Sequence, residues 1–344
     1  MTSALATPPE AAAIQLLTQL ATGHIVASAL QVALRLGIPD RLAQRPLTCA
    51  ELARATGVRE DELYRVLRAL ASVGVFAETS PRRFALTDAG QALVSGAPGS
   101  MRDMGLWITS PFHFRVYAEL MHSVQTGQPA AEKVTGMPVF DYFPTQPELS
   151  ETFNNAMTNF SEVVVRAALD VYDFNGIETL VDVAGGHGVV LTTILNAYPR
   201  MRGVLFDLEH VLAGARPRID TMGLAGRCRT ESGDFFKAVP AGGDAYIMKH
   251  IIHDWDDERA VTILRNIRAA MGAKRGRVIL LDSVLQAGDA PDFGKILDLE
   301  MMAMPGGRER TVEEFRGLFA SAGFAMTRIV PTASPLSVIE AIVS

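Results

Sequence analysis

From Glu178 to the C-terminus, short apolar runs of strand length alternate with longer segments whose apolar residues recur at helical spacing. The runs fall at 179–184, 203–207, 227–232, 244–249 and 277–282, with two more near 325–330 and 337–342. The segments 189–197, 211–221, 258–271 and 311–322 between them predict helices. This alternation predicts an α/β fold built on a doubly wound, mainly parallel sheet. Ligands bind such sheets beyond the carboxyl ends of the strands. Asp182, Asp207, Asp234, Lys249 and Asp282 all fall at or beside strand ends, so the pattern gathers them on one rim.

The first half of the chain has a different rhythm. Ile14 to Leu36 is apolar at helical spacing with few charges, which predicts helices burying more than one face, in the monomer core or against another subunit. None of the apolar runs is expected to reach the roughly 20 residues of a bilayer span. Thr48 and Glu51 read as a capping box opening a short helix. A second helix over Arg59–Val73 carries Leu63, Val66, Leu67 and Leu70 on one stripe and ends at Gly74. Two short strands around Ser80–Arg83 and a helix capped by Thr87 complete a winged-helix pattern.

Such a module serves either a DNA-binding regulator or a scaffold for dimerisation. Glu60, Asp61 and Glu62 put three acids where a reading helix would meet phosphates, which argues against nucleic acid. Gly96 to Ser150 is a connecting region with many aromatics. Phe153 to Ser161 then leads into a helix predicted over Val163–Val171. Phe153, Met157 and Phe160 share one face there, for core packing or for a flat aromatic ligand. The expected division is a helical winged-helix dimerisation domain over 1–100, a helical linker over 101–175 and a ligand-binding catalytic domain over 176–344.

Composition narrows the setting. A chain of 344 residues suits two domains, and its formal charge of −6 is not that of a nucleic-acid or membrane-surface protein. Cys49 and Cys228 have no metal-type spacing and imply a reducing compartment. Met1 to Glu10 has no basic stretch followed by an apolar core, so no signal peptide is expected and the protein reads as soluble and cytoplasmic.

The chemistry lies in two stretches. In Leu180 to Gly188 an apolar strand closes with Asp182, and a glycine cluster then opens a helix. This is a structural turn or a loop whose backbone approaches a nucleotide-like ligand. Leu191 stands where a dinucleotide fingerprint needs its third glycine, and no Gly-Lys-Ser/Thr follows. With Asp207 ending the next strand to accept ribose hydroxyls, the set suits an adenosyl ligand such as S-adenosylmethionine. In the second stretch His253 follows strand 244–249, where it is either structural or a general base. Asp282 and Glu309, from two further loops, are candidates to orient it.

Asp182 to Gly188, Phe206-Asp207-Leu208, Gly233 to Phe236, His253-Asp254-Trp255 and Gly306 to Thr311, in this order, resemble the S-adenosylmethionine-dependent O-methyltransferases of the plant caffeate type. The bacterial branch of that family acts on polyketide, phenazine and related aromatic metabolites. The resemblance covers nearly the whole chain and implies a Rossmann-like class I methyltransferase fold and a homodimer. It implies a cofactor site of Asp182, Gly185, Gly186, Gly188, Asp207, Leu208, Asp234, Phe235, Lys249 and Ser161. It also implies His253 as the base flanked by Asp282 and Glu309, and an acceptor pocket lined by Phe153, Met157, Phe160 and Met301. The substrate implied is a small aromatic bearing a hydroxyl, with S-adenosylhomocysteine as product and no metal; the scattered His and Asp residues show no ligand set. Two positions depart from the pattern. Ala184 replaces the usual first glycine, and Asp282 replaces a Glu, one methylene shorter. Some relatives use the cofactor for decarboxylation or hydroxylation instead.

Overall fold

The computed structural model describes residues 9–97 and 99–344. Met1 to Pro8, within the stretch read for a leader, lie outside the described residues, as does Pro98. The chain divides into two compact units, Met1–His113 and Phe114–Ser344.

The first unit opens with one long helix, Pro9–Arg35. Of the two expected settings, the monomer core is excluded for its first half, where Ile14, Leu16, Leu17 and Leu20 are exposed in the single chain. The membrane expectation is also corrected, because Ala11–Arg35 is long and apolar enough to cross a bilayer by length and composition. Its many alanines lift the hydropathy without forming the unbroken leucine-rich run that would have announced it. The capping box is present, with Thr48 Oγ1 accepting from the Glu51 N–H. Helices Cys49–Thr56 and Glu60–Ser72 pack Leu52, Leu63, Leu67 and Leu70 against Ala33, Ile38, Phe76 and Phe84. Strands Phe76–Ser80 and Arg83–Leu86 form a hairpin extended by Leu47–Thr48. Arg82 at its tip bonds Glu60 and Asp61, each at 2.9 Å, so the acids opening the second helix tie it to the hairpin.

The second unit holds a seven-stranded sheet whose strands are numbered here in chain order: β1 Thr179–Val183, β2 Arg202–Asp207, β3 Cys228–Ser232, β4 Ala245–Lys249, β5 Arg277–Asp282, β6 Phe324–Pro331 and β7 Ser337–Val343. Their spatial order is β6-β7-β5-β4-β1-β2-β3, all parallel except β7, which runs antiparallel to both neighbours. Alternation along each strand feeds two cores. Leu180, Leu205, Ile247, Ile279 and Leu281 face one layer of helices, while Val181, Val183, Phe206, Met248 and Leu280 face the other. The strand order reverses between β4 and β1, and that reversal opens a crevice at their carboxyl ends.

Several elements differ from the sequence reading. The helix expected from Val163 begins at Pro147 and runs to Leu169, because Pro at its first turn costs nothing there. The linker, read as helical, is divided into short helices, among them Leu120–Thr126, Ala130–Thr135 and Val139–Tyr142. A helix at Phe293–Ala303 and the parallel pairing of Val284–Leu285 with Arg310–Thr311 had no sequence signal strong enough to reveal them.

Candidate active site

At the carboxyl end of β1 the backbone turns sharply, with positive φ at Ala184 (56°), Gly186 (58°) and Gly188 (73°). Ala184 therefore adopts the left-handed conformation that glycine occupies without penalty, which gives the departure at this position a physical cost. A Cβ at Gly185 would stand 2.5 Å from Leu205 and 2.6 Å from Asp182, so the turn packs directly on β2. A Cβ at Gly186 would meet nothing within 4 Å. The turn is thus tight on its protein side and open beside Asp207.

Asp207 is held by that turn. Its Oδ2 accepts from the Gly186 N–H at 2.8 Å and its Oδ1 from the Leu208 N–H at 2.7 Å. Burial raises its pKa, and these two N–H groups oppose the rise. Each oxygen keeps a lone pair for another donor. Leu208 is half exposed alongside, and across the rim Phe235 packs on Phe236 and Trp255. Asp234 folds back to accept from the Phe236 N–H. Asp182 sits lower, 1% exposed beneath the turn, and burial pushes its carboxyl up to about 7. Ser161 donates to the Met157 carbonyl of its own helix. An open glycine cradle beside a carboxylate with spare acceptor capacity, flanked by apolar side chains, fits an adenosyl group.

Beyond β4 lies the second cluster. Lys249 ends the strand with its ammonium 5.4 Å from the Phe160 ring, and burial pulls its pKa down to about 8. His250 follows in the left-handed region (φ 55°), stacked on His253 with ring centroids 4.2 Å apart and 5.2 Å from Phe160. His253 lies on a single 3-10 turn, Ile252–Asp254, and is 4% exposed. Its Nδ1 is 2.6 Å from Glu309 Oε1, and its Nε2 is 3.5 Å from Asp254 Oδ1.

The loop carrying Glu309 is fastened to that turn at several points. Arg308 N–H donates to the His253 carbonyl, and the Arg310 guanidinium, 1% exposed, donates to the Ile252 and Trp255 carbonyls and to Asp257. A Cβ at Gly307 would be 2.0 Å from the His253 carbonyl oxygen, so only glycine lets the two segments approach. Asp282 is fully buried, and neither of its oxygens has a hydrogen-bond partner among the described residues. Burial pushes Asp282 and Asp254 up to about 7 and Glu309 up to about 8.

The fold therefore brings His253 against Glu309, and Phe160 against Lys249 and His250. Met301 is buried, and its carbonyl accepts from the Gly306 and Gly307 N–H groups, placing it behind the same loop. Phe153 instead packs on Phe143, which joins Phe140 and through it Trp255. Met157 is half-buried on the helix that carries Phe153 and Phe160. Sequence reading gave no role to His250, signalled only by its position three residues before His253, or to Arg310, which lies inside the Gly306–Thr311 motif. Elsewhere the Tyr117–Glu300 bond at 2.5 Å joins residues 183 apart. The absence of a ligand set is corrected too: His250, His253 and Asp282 bring one donor atom each within 4.8 Å of one another.

The O-methyltransferase domain family matches residues 117–325, and the O-methyltransferase dimerisation domain matches 18–96. The chain belongs to the S-adenosylmethionine-dependent O-methyltransferase family and has its class I fold with an N-terminal dimerisation domain. Among its relatives is the phenazine O-methyltransferase PhzM of Lysobacter antibioticus, 44% identical over 95% of both chains. The 8-amino-8-demethylriboflavin N,N-dimethyltransferase of Streptomyces davaonensis is 37% identical over 96% of both. The crystal structure of LaPhzM superposes with a TM-score of 0.91 at 44% identity, covering 96% of this chain and 99% of that one. The structure of NcsB1 from neocarzinostatin biosynthesis, in complex with S-adenosylmethionine and 2-hydroxy-5-methyl naphthoic acid, superposes at 0.77 with 32% identity, covering 92% and 96%.

Proposed function

We propose that this enzyme methylates a hydroxyl of a small aromatic metabolite, with His253 as the general base. The observation that carries the reading is the 2.6 Å contact between His253 Nδ1 and Glu309. With Nδ1–H donating to the Glu309 carboxylate, Nε2 is left as the acceptor of a proton. Bound S-adenosylmethionine supplies an electrophilic methyl group.

A phenol titrates near 10, so little phenolate exists at neutral pH and a positioned base contributes about 10²–10⁴ in rate. The hydroxyl proton passes to Nε2, and the resulting imidazolium is stabilised through Nδ1 by Glu309, with Asp282 and Asp254 adding negative charge nearby. Asp207 takes the ribose hydroxyls and the Gly185–Gly188 turn carries the adenosyl group, with Asp182 supporting that turn from below. Asp234, Phe235 and Leu208 border the adenine, while Lys249 and Ser161 lie toward the amino-acid end. Phe153, Met157, Phe160 and Met301 line the acceptor pocket.

The exposed apolar side chains of Pro9–Arg35 fit a homodimer contact, since matched subunits would cover them. The Arg82 ion pairs to Glu60 and Asp61 fit a scaffold better than a DNA-reading module. Two buried free thiols fit a reducing compartment.

The test has two stages. Calorimetric titration with S-adenosylhomocysteine is expected to give micromolar binding. Phenolic, naphthoic and phenazine acceptors are then screened by mass for addition of one methyl group. His253→Ala should bind S-adenosylhomocysteine as the native chain does while losing methyl transfer. Full activity in that variant would remove His253 as the base, and a product lacking the carboxyl or gaining a hydroxyl would replace the reaction.

A further inference from the structure

We propose that His250, His253 and Asp282 together bind a borderline-soft divalent cation of the Zn²⁺ class, and that the bound ion blocks the proton acceptor of methyl transfer. Each residue has a donor atom to spare. The Nδ1 of His253 is engaged by Glu309, which leaves Nε2 free to ligate. Among the described residues His250 Nε2 is buried with no hydrogen-bond partner, and so are both oxygens of the fully buried Asp282. One donor from each lies within 4.8 Å of the others.

The surroundings are those of a metal site. A ligating imidazole whose other nitrogen donates to a carboxylate is the recurring outer arrangement of zinc sites, and the His253–Glu309 pair already has it. Asp254 Oδ1, 3.5 Å from His253 Nε2, or a water supplies a fourth position. Asp254, Asp282 and Glu309 bring three carboxyl groups. The facing cations are Lys249 and Arg310, and Arg310 is already paired with Asp257. Two nitrogens and one oxygen suit Zn²⁺, Co²⁺ or Ni²⁺, whereas Mg²⁺ and Ca²⁺ take oxygen ligands.

Tetrahedral ligands at zinc bond lengths stand roughly 3.3 Å apart, so the cluster must contract. The two imidazole rings now lie nearly parallel, 29° between planes, and the His250 ring must turn out of this stack to aim its lone pair at the ion. An ion held by Nε2 of His253 removes the lone pair that would accept the hydroxyl proton. Binding does not depend on the proposed reaction; the blocking effect rests on His253 being its base.

The test is calorimetric titration of the metal-free full-length protein with Zn²⁺, alongside His250→Asn and Asp282→Asn, followed by the visible absorption of the Co²⁺ form. Asn tolerates the left-handed conformation at position 250, and circular dichroism establishes that both variants are folded. The expected result is saturable binding of a single Zn²⁺ per chain, weakened more than ~10-fold in each variant, with an intense tetrahedral Co²⁺ band and no heat from Mg²⁺. Absence of saturable Zn²⁺ binding, or folded variants that bind as the native chain does, overturns the site. Binding without loss of methyl transfer at saturating Zn²⁺ overturns the blocking effect, and with it His253 as proton acceptor.

Discussion

Two acids end strands of the same sheet, and the fold treats them oppositely. Asp207 at the end of β2 has both oxygens held by backbone N–H groups. Asp282 at the end of β5 has neither. Burial raises both pKa values, but only at Asp207 do hydrogen bonds to the ionised form push back. The glycine rim thus presents a hydrogen-bonded carboxyl group with acceptor capacity to spare, suited to neutral hydroxyls. The pocket around His253 is an under-satisfied group of acids and imidazoles whose protonation responds to whatever charge arrives. A binding site needs the first arrangement and proton transfer benefits from the second.

The sharpest way to break this comparison is Glu309→Gln. An amide oxygen still accepts from Nδ1 but offers the imidazolium no charge, so kcat should fall on the order of 10²-fold, with S-adenosylhomocysteine affinity unchanged by calorimetry. On the proposed mechanism Glu309, pushed by burial up to about 8, supports His253 only when ionised, so kcat should climb between about pH 7 and 9. A native profile flat over that range would separate Glu309 from the base. Next in size, Asp207→Ala removes the charged acceptor of the rim. Affinity for S-adenosylhomocysteine should fall roughly 10- to 100-fold, from the worth of hydrogen bonds to a charged group; an unchanged affinity would take the ribose away from Asp207.

Asp282→Asn should act in the other direction, on stability. The folded pKa of Asp282 is raised to about 7, above an unfolded value near 3.9. Its contribution is therefore fully present below pH 4 and lost as pH rises through 7. The uncharged Asn variant should be more stable than the native chain by roughly 1–4 kcal/mol at pH 8, with the gap closing near pH 4. Thermal melts at the two pH values decide it, and a gap independent of pH would mean Asp282 is not strained by its charge. Asp207→Asn should instead cost about 1 kcal/mol, because Nδ2 cannot accept one of the two N–H groups. The smallest effect is expected from Ala184→Gly. Relief of about 1 kcal/mol of left-handed strain is largely offset by the greater freedom of glycine in the unfolded chain, leaving a gain near ~0.5 kcal/mol in denaturant melts.

Strand positions were legible because apolar runs must be buried on both faces of a parallel sheet. The run read at 277–282 is β5, and the helix read at 189–197 is Val189–Ala197. The glycine turn and Asp207 were legible for a related reason, since a strand, a turn and a helix are contiguous in the chain and β2 follows at once. His253 and Asp282 were recognisable as rim residues. The sequence read the long N-terminal helix less well, because alanine-rich segments satisfy the patterns of a core helix, a subunit contact and a membrane span alike. Only the exposure of Ile14 and Leu20 separates the first from the others.

What the sequence determined by itself was the order of the seven sheet strands, the family and the residues at each strand end. What only the tertiary structure decided was their relations. His253 meets Glu309 across 56 residues because Arg310 grips the Ile252 and Trp255 carbonyls and Gly307 has no Cβ. His250 stacks on His253 because its backbone takes a positive φ that no local pattern announces. Asp282 has no hydrogen bond among the described residues, while Asp207 accepts one from Gly186, 21 residues back in the turn, and one from its own neighbour Leu208. Local periodicity encodes burial, which is a property of one segment; hydrogen bonding and charge belong to pairs of segments, and they exist only once the chain has closed on itself.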